Sequence, residues 1–279
     1  MSEENTLAPT TSGRAPASGI AIRLRQHSPG LLRLTLYVLG PSCLIFLWHY
    51  ASEAYATPRL FPGPFDTFEG FLLLMEQGEL VRDITASMRR IALGFTIGAL
   101  GGYVVGLAAG YVPAIHQLLY PYLHFFRFVS PIAWLSMALL WLGTGEASKV
   151  ALIIYTTTFI VMINTMEGVF TVPTNRLRAA RCFGAREWQV FLWVVVPSAF
   201  SHAWTGSRLA MANSFATIVA AEMLAADSGL GFLSWVSRQS LSVDYIFVAI
   251  IFLGIIGFLS DRGLVLLSDT VFHRYCRSL

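Results

Sequence analysis

The sequence predicts an all-α integral membrane protein with six transmembrane helices. Three observations carry that reading. The first is composition: 55% of the 279 residues are hydrophobic and 13% are charged. That is about half the charged fraction with which a soluble domain wets its surface, and mean hydropathy is +0.62. A soluble enzyme, a disordered chain and a disulfide scaffold are excluded together. The second is spacing: charge-free windows run over 34–52, 91–126, 128–145, 150–166, 188–207, 209–221 and 245–260. A hydrocarbon core of about 30 Å needs about 20 helical residues, so most windows are span-sized. The third is texture. The windows are continuous apolar runs, not the short alternating runs of a barrel, and lipid permits only these two architectures.

The elements follow in chain order. Residues 1–30 are polar and rich in Ser, Thr, Pro and Gly, and read as a disordered cytoplasmic tail. The apolar run after them starts too late and runs too long for a cleaved signal peptide; it is the first span, 31–51. Pro113 and Pro121 divide the window 91–126, because proline disrupts a helix interior. That places the second span at 88–111 and the third at 121–142. The fourth is 149–169. The stretch 188–221 holds one helix or two; Pro197 and the polar piece 198–207 restrict the fifth span to 204–225. The sixth is 244–267. Residues 31–279 form one transmembrane domain.

Eighteen of the nineteen basic residues are Arg, and Lys149 is the one lysine. With the N-terminus inside, the cytoplasmic side carries twelve of them: Arg14, Arg23, Arg25, Arg33, Arg127, Arg176, Arg178, Arg181, Arg186, Arg262, Arg274 and Arg277. The other side carries six: Arg59, Arg82, Arg89, Arg90, Lys149 and Arg238. This excess places both termini in the cytoplasm. Arg208 sits near a helix end, placed to snorkel or to pair.

Glycines recur every fourth residue at Gly94, Gly98, Gly102, Gly106 and Gly110. They form one slowly drifting stripe, the pattern of close helix packing in lipid; a substrate-facing groove is the alternative. Cys43, Cys182 and Cys276 are scattered and odd in number, so they form no disulfide framework and no metal motif. No cofactor is expected.

The densest basic patch, the 176–186 loop, lies between the fourth and fifth spans and holds the segment Arg178-Ala179-Ala180-Arg181-Cys182-Phe183-Gly184-Ala185-Arg186-Glu187. It reads as two short helical pieces flanking Gly184, with apolar Phe191 and Trp193 beyond. An amphipathic interfacial helix is one reading; a docking surface for a cytoplasmic partner is the sharper one. The spacing Ala-Ala-x3-Gly-x9-Val-x-Val-Pro, ending at Val194, Val196 and Pro197, resembles the EAA loop of ATP-binding cassette importer permeases, over about 174–197. Arg178 stands where the family has Glu.

Flanking stretches resemble the nitrate/sulfonate/taurine branch of that family. They are Arg127-Phe128-Val129-Ser130-Pro131-Ile132-Ala133-Trp134 and Trp141-Leu142-Gly143-Thr144-Gly145-Glu146-Ala147-Ser148-Lys149. Ala220-Ala221-Glu222-Met223-Leu224 with Gly229-Leu230-Gly231, and Ser87, Arg90 and Gly94, match further stretches. The resemblance runs from about Phe61 to the C-terminal end.

The resemblance implies the type I importer permease fold in a bacterial inner membrane. It also implies a second permease copy, two cytoplasmic ATPase subunits and an extracytoplasmic solute-binding protein. In that family the loop couples ATPase closure to outward opening, a role that would fall to Arg178, Ala179, Ala180, Gly184, Ala185 and Pro197. The solute would be nitrate-, sulfonate- or taurine-like. A nucleotide-binding P-loop needs GxxxxGK[ST]. Lys149 lies between Ser148 and Val150, so the motif fails, and ATP hydrolysis is expected of another polypeptide. No nucleic-acid partner is expected.

Polar residues inside spans tend to face a cavity or a partner. Asn164 and Glu167 lie late in the fourth span, and Asn213, Ser214, Thr217 and Glu222 along the fifth. Asn213 and Thr217 share a helix face, with Ser214 beside them. Asn164, Asn213, Ser214 and Thr217 are the expected border of the translocation path, with helix–helix hydrogen bonding the open alternative. Glu167 and Glu222 are expected to pair with arginines near membrane ends. The rival classes are an intramembrane enzyme and a secondary transporter. Ser201 and His202 are adjacent, no GxSxG or HExxH occurs, and no internal repeat supports a secondary transporter.

Overall fold

Long apolar runs must satisfy their backbone within the segment, and the computed structural model is helical along these runs. It describes residues 30–54 and 60–271, with the backbone alone for 30–38 and 271. Residues 1–29 of the expected tail, Arg59, Arg274, Cys276 and Arg277 lie outside the described residues. The chain divides into two units, residues 1–56 and 57–279. In the first, α1 spans Gly30–Ala54 and carries Pro41 in its interior.

The second unit contains α2 (Pro64–Glu76), α3 (Glu79–Tyr111), α4 (Pro113–Arg127), α5 (Pro131–Leu142), α6 (Glu146–Phe170) and α7 (Thr174–Cys182). After these come α8 (Glu187–Val190), a π-helical turn (Phe191–Val195), α9 (Val196–Ala225), α10 (Leu230–Gln239) and α11 (Val243–Val271). Among the described residues three helices, α3, α6 and α11, are each long and apolar enough to cross a membrane. Two bent pairs, α4 with α5 and α8–α9 with α10, raise this to five if each pair is one span.

Local chemistry explains where these helices break. The expected third span, 121–142, is two helices bent by 100°. Pro131 opens α5, and its ring keeps Ser130 out of the helical region at φ −62°, ψ 136°. The Ser130 hydroxyl then caps α5 by accepting from the Ile132 N–H at 3.4 Å. Pro113 starts α4 after an extended Val112, whereas Pro121 is absorbed inside α4.

The expected fifth span, 204–225, starts earlier than anticipated: α9 is helical through 198–207. Hydroxyls there bond back along the helix instead of diverting the backbone. Ser201 donates to the Ser198 carbonyl at 3.3 Å, Thr205 to Ser201 at 3.1 Å and Ser207 to Ala203 at 2.9 Å.

The core is α6 with α3 on one side and α9 on the other. α3 runs parallel to α6, because the glycine stripe meets it at a constant offset. A Cβ at Gly94 would lie 2.6 Å from Ile153, at Gly98 2.7 Å from Thr157, at Gly106 2.7 Å from the Met162 carbonyl and at Gly110 2.7 Å from Val169. Close packing is thus the role of the stripe. α9 runs antiparallel. Gly206 would place a Cβ 2.5 Å from Asn164, Gly168 one 2.7 Å from His202, and Ile218 packs against Ile153 and Ile91. Backbones this close gain van der Waals contact where lipid supplies no hydrophobic drive. On the flank, α11 packs on α10 and α2 around Leu74, Leu80, Leu230, Leu233 and Val248.

Candidate functional site

Three features stand along this core. At the end where α3 finishes and α9 begins, the 174–197 loop forms a sharp elbow. α7 stops because Gly184 adopts φ +82°, open to glycine at little cost. The Gly184 N–H then donates to the Arg181 carbonyl at 2.9 Å and the Ala185 N–H to Ala180 at 3.1 Å, the pairing of a Schellman cap. Arg181 grips Glu187 with two bonds, 2.9 and 3.1 Å. Tyr111 at the end of α3 donates to the same carboxylate at 3.1 Å.

The rest of the elbow is bare. No residue of α7 is buried; Arg178 and Ala179 are exposed, Ala180 and Ala185 half-buried. Phe183 is 92% exposed, and Trp188 and Trp193 are exposed as well. Pro197 is half-buried at the start of α9, where Val195 and Ala199 pack against Leu107 and Val169. The loop therefore has an anchored base and an unburied tip.

The second feature is a groove of about 420 Å³ at the α4–α5 bend, bordered by Arg127, Pro131, Tyr155, Asn164, Glu167 and Asn213 among others. Tyr155 is held by donating to the Phe126 carbonyl at 3.0 Å. Of the four residues expected along the path, Asn164 and Asn213 border this groove. Ser214 and Thr217 are buried between helices instead, Ser214 sharing a hydrogen bond with Thr157 at 3.1 Å and Thr217 with Thr156 at 3.3 Å. Glu167 is exposed and has no ion-pair partner among the described residues. Arg208 instead grips Asp261 with bonds of 2.8 and 2.9 Å.

The third feature lies at the other end of α3, where Asp83, Ser87 and Arg90 share a face. Glu222, wholly buried, accepts from Arg90 Nη1 at 2.7 Å, from Ser87 at 2.8 Å and from the Gly231 N–H at 3.0 Å. Arg90 also donates to the Ser228 carbonyl at 2.6 Å and, through Nε and Nη2, to both oxygens of Glu146 at 2.7 Å. Asp83 accepts from the Gly229 N–H and Ser87 from the Leu230 N–H, each at 3.0 Å. Sequence spacing on α3 was the available signal for this cluster, but its partners are more than 50 residues away. Among the described residues no three His, Cys, Asp or Glu side chains converge as a metal site.

The model of the binding-protein-dependent transport system inner membrane component family matches residues 102–273. The chain belongs to that family. The permease is 33% identical over 248 residues to the taurine transport system permease protein of Escherichia coli (strain K12), covering 87% of this chain and 90% of that one. It is 32% identical over 250 residues to the bicarbonate transport system permease protein of Synechococcus elongatus, covering 85% and 88%.

A crystal structure of a bacterial alginate ABC transporter, in complex with an alginate pentasaccharide-bound periplasmic protein, shares the fold. Its TM-score is 0.61 at 15% identity, over 85% of this chain and 93% of that one. The all-helical importer fold follows, and the chain is a multi-pass membrane permease of an ATP-binding cassette importer. The readings as a secondary transporter or an intramembrane enzyme fall away.

Proposed function

We propose that the permease imports a small sulfonate- or taurine-like solute, handed over by an extracytoplasmic binding protein and driven by two separate ATPase subunits. One observation carries the solute class: relatives named for taurine and for aliphatic sulfonates align over more than four-fifths of the chain. Two copies of the permease form the path. Six spans cross a bacterial inner membrane, the first on α1, with both termini in the cytoplasm; the Arg excess on the loop side supports this orientation. ATP is hydrolysed by the partner subunits and not by this chain.

Arg178, Ala179, Ala180, Gly184, Ala185 and Pro197 belong to the element that the ATPase moves. An anchored base with an unburied aromatic tip suits a rigid lever seated in a partner cleft. Asn164 and Asn213 line the path, Ser214 and Thr217 stiffening the wall behind them.

The test is reconstitution in liposomes with the cognate ATPase and binding protein. Uptake of labelled taurine is expected, and a binding protein that holds neither a sulfonate nor a related oxyanion overturns the solute class. Replacing Gly184 by Trp strains the elbow at φ +82° and is expected to abolish stimulation of the ATPase by the loaded binding protein. Wild-type stimulation in that variant removes the coupling role.

A further inference from the structure

Arg90 has two carboxylate partners in very different surroundings. Its own side chain is 3% exposed. On one side Glu222 is wholly buried, saturated by Arg90, Ser87 and the Gly231 N–H, and covered by the 226–231 turn. Separating that pair would leave charges stranded in the interior, which is strongly unfavourable. On the other side Glu146 is 47% exposed. It is the residue at which the exposed turn 143–145, leading from α5, enters α6. A groove of about 440 Å³ bordered by Arg82, Arg89, Arg90, Glu146 and Ser228 opens onto this contact, so water can replace a broken bond there.

Both partners also keep a counter-ion if they part. Arg90 retains Glu222. Glu146 retains Lys149, buried, 3.3 Å away and one helical turn along α6. The turn before Glu146 is otherwise held by the Ser148 hydroxyl, which donates to the Gly145 carbonyl at 2.9 Å, and a Cβ at Gly143 or Gly145 would meet nothing within 4 Å.

We propose that the Arg90–Glu146 contact is a releasable ionic latch. Closed, it holds the α5–α6 turn against the core at the end of the bundle opposite the 174–197 loop. Open, it frees that turn and the bent α4–α5 arm that borders the Asn164–Asn213 groove. The Arg90–Glu222 half is the fixed post. The release is a step of the ATP-driven cycle, so the inference rests on the importer reading above, and Arg90 and Glu146 are positioning residues.

The experiment uses the full complex in lipid nanodiscs with its ATPase and binding protein. In E146Q the latch is weakened while the post is intact. ATPase activity without binding protein is expected to rise about threefold or more, a population shift within the reach of one partly exposed ion pair, and the stimulation ratio to fall accordingly. Wild-type basal and stimulated rates in E146Q overturn the latch.

A second measurement keeps the native pair. Cys43, Cys182 and Cys276 are replaced by Ser, and Ser228→Cys supplies one thiol behind the latch. Its maleimide labelling is expected to accelerate about threefold or more when the complex is trapped with vanadate and binding protein; equal rates in the resting and trapped states overturn the latch, even where E146Q fails to assemble. A wild-type complex whose ATPase ignores the loaded binding protein counts instead against the importer reading.

Discussion

Arg90 and Tyr111, towards opposite ends of α3, lie about 30 Å apart along the helix by its rise, and they are held by opposite means. At Arg90 a buried charge is bound by carboxylates from α6 and α9 and by the turn before α10. At Tyr111 a single hydroxyl reaches a carboxylate already gripped by Arg181, in full view of solvent. One end invests ionic bonds in fixing helices to each other. The other leaves aromatic surface uncommitted and keeps the elbow upright with local bonds. The lever proposed above would need such a pair: a bundle that moves as a body and a tip left free for a partner.

Substitutions can break this contrast, beginning where the effect is greatest. Glu222→Ala leaves Arg90 only its half-exposed partner Glu146 and takes the acceptor from the Ser87 hydroxyl and the Gly231 N–H; loss of this buried pair should cost about 3 kcal/mol, read as a large fall in the melting temperature of the detergent-solubilised permease. An unchanged melting point would mean that the cluster is not the fixed end. Gly106→Val puts a side chain into the Met162 carbonyl and Thr165. It should cost about 1–3 kcal/mol by overpacking and lower melting without touching either end.

Along the groove the comparison sharpens to adjacent residues. Ser214→Ala loses the bond to Thr157, worth about 0.6 kcal/mol between membrane helices, and should leave transport rates alone. Asn213→Leu should leave melting within about 0.5 kcal/mol, as an exposed change does, yet alter transport kinetics in liposomes. Equal transport in both variants would take Asn213 off the path. The smallest effect on stability is expected at the elbow. Glu187→Gln weakens a solvent-exposed grip and should leave the melting curve superimposable on wild type, while stimulated ATPase activity drops. A variant that melts earlier but couples normally would reverse the roles of the two ends.

How much of this was legible in the residues varies by scale. The glycine stripe named its own function, because a four-residue repeat puts small side chains on one face whatever the neighbours are. The elbow was legible too, since Gly184 and the polar pieces beside it act within a few residues. The bend at Ser130 was not: the charge-free window 128–145 runs straight across Pro131, and the helix cap there depends on one hydroxyl. The helical state of 198–207 was missed for a related reason. Ser and Thr compete with the backbone in water, but in a packed helix they bond back to it, and Gly206 needs Asn164 of α6 to have a purpose.

By itself the sequence determined the class of molecule, the apolar segments and the membrane setting. All of these follow from hydrophobicity and short-range spacing, which act locally. Only the tertiary structure decided that Ser214 and Thr217 face helices while Asn164 and Asn213 face a groove, because a helix has no solvent side until its neighbours are in place. Only it joined Arg90 to Glu222, 132 residues away, and to Glu146. A buried charge chooses its partners by proximity in space, and three helices had to pack before those partners could meet.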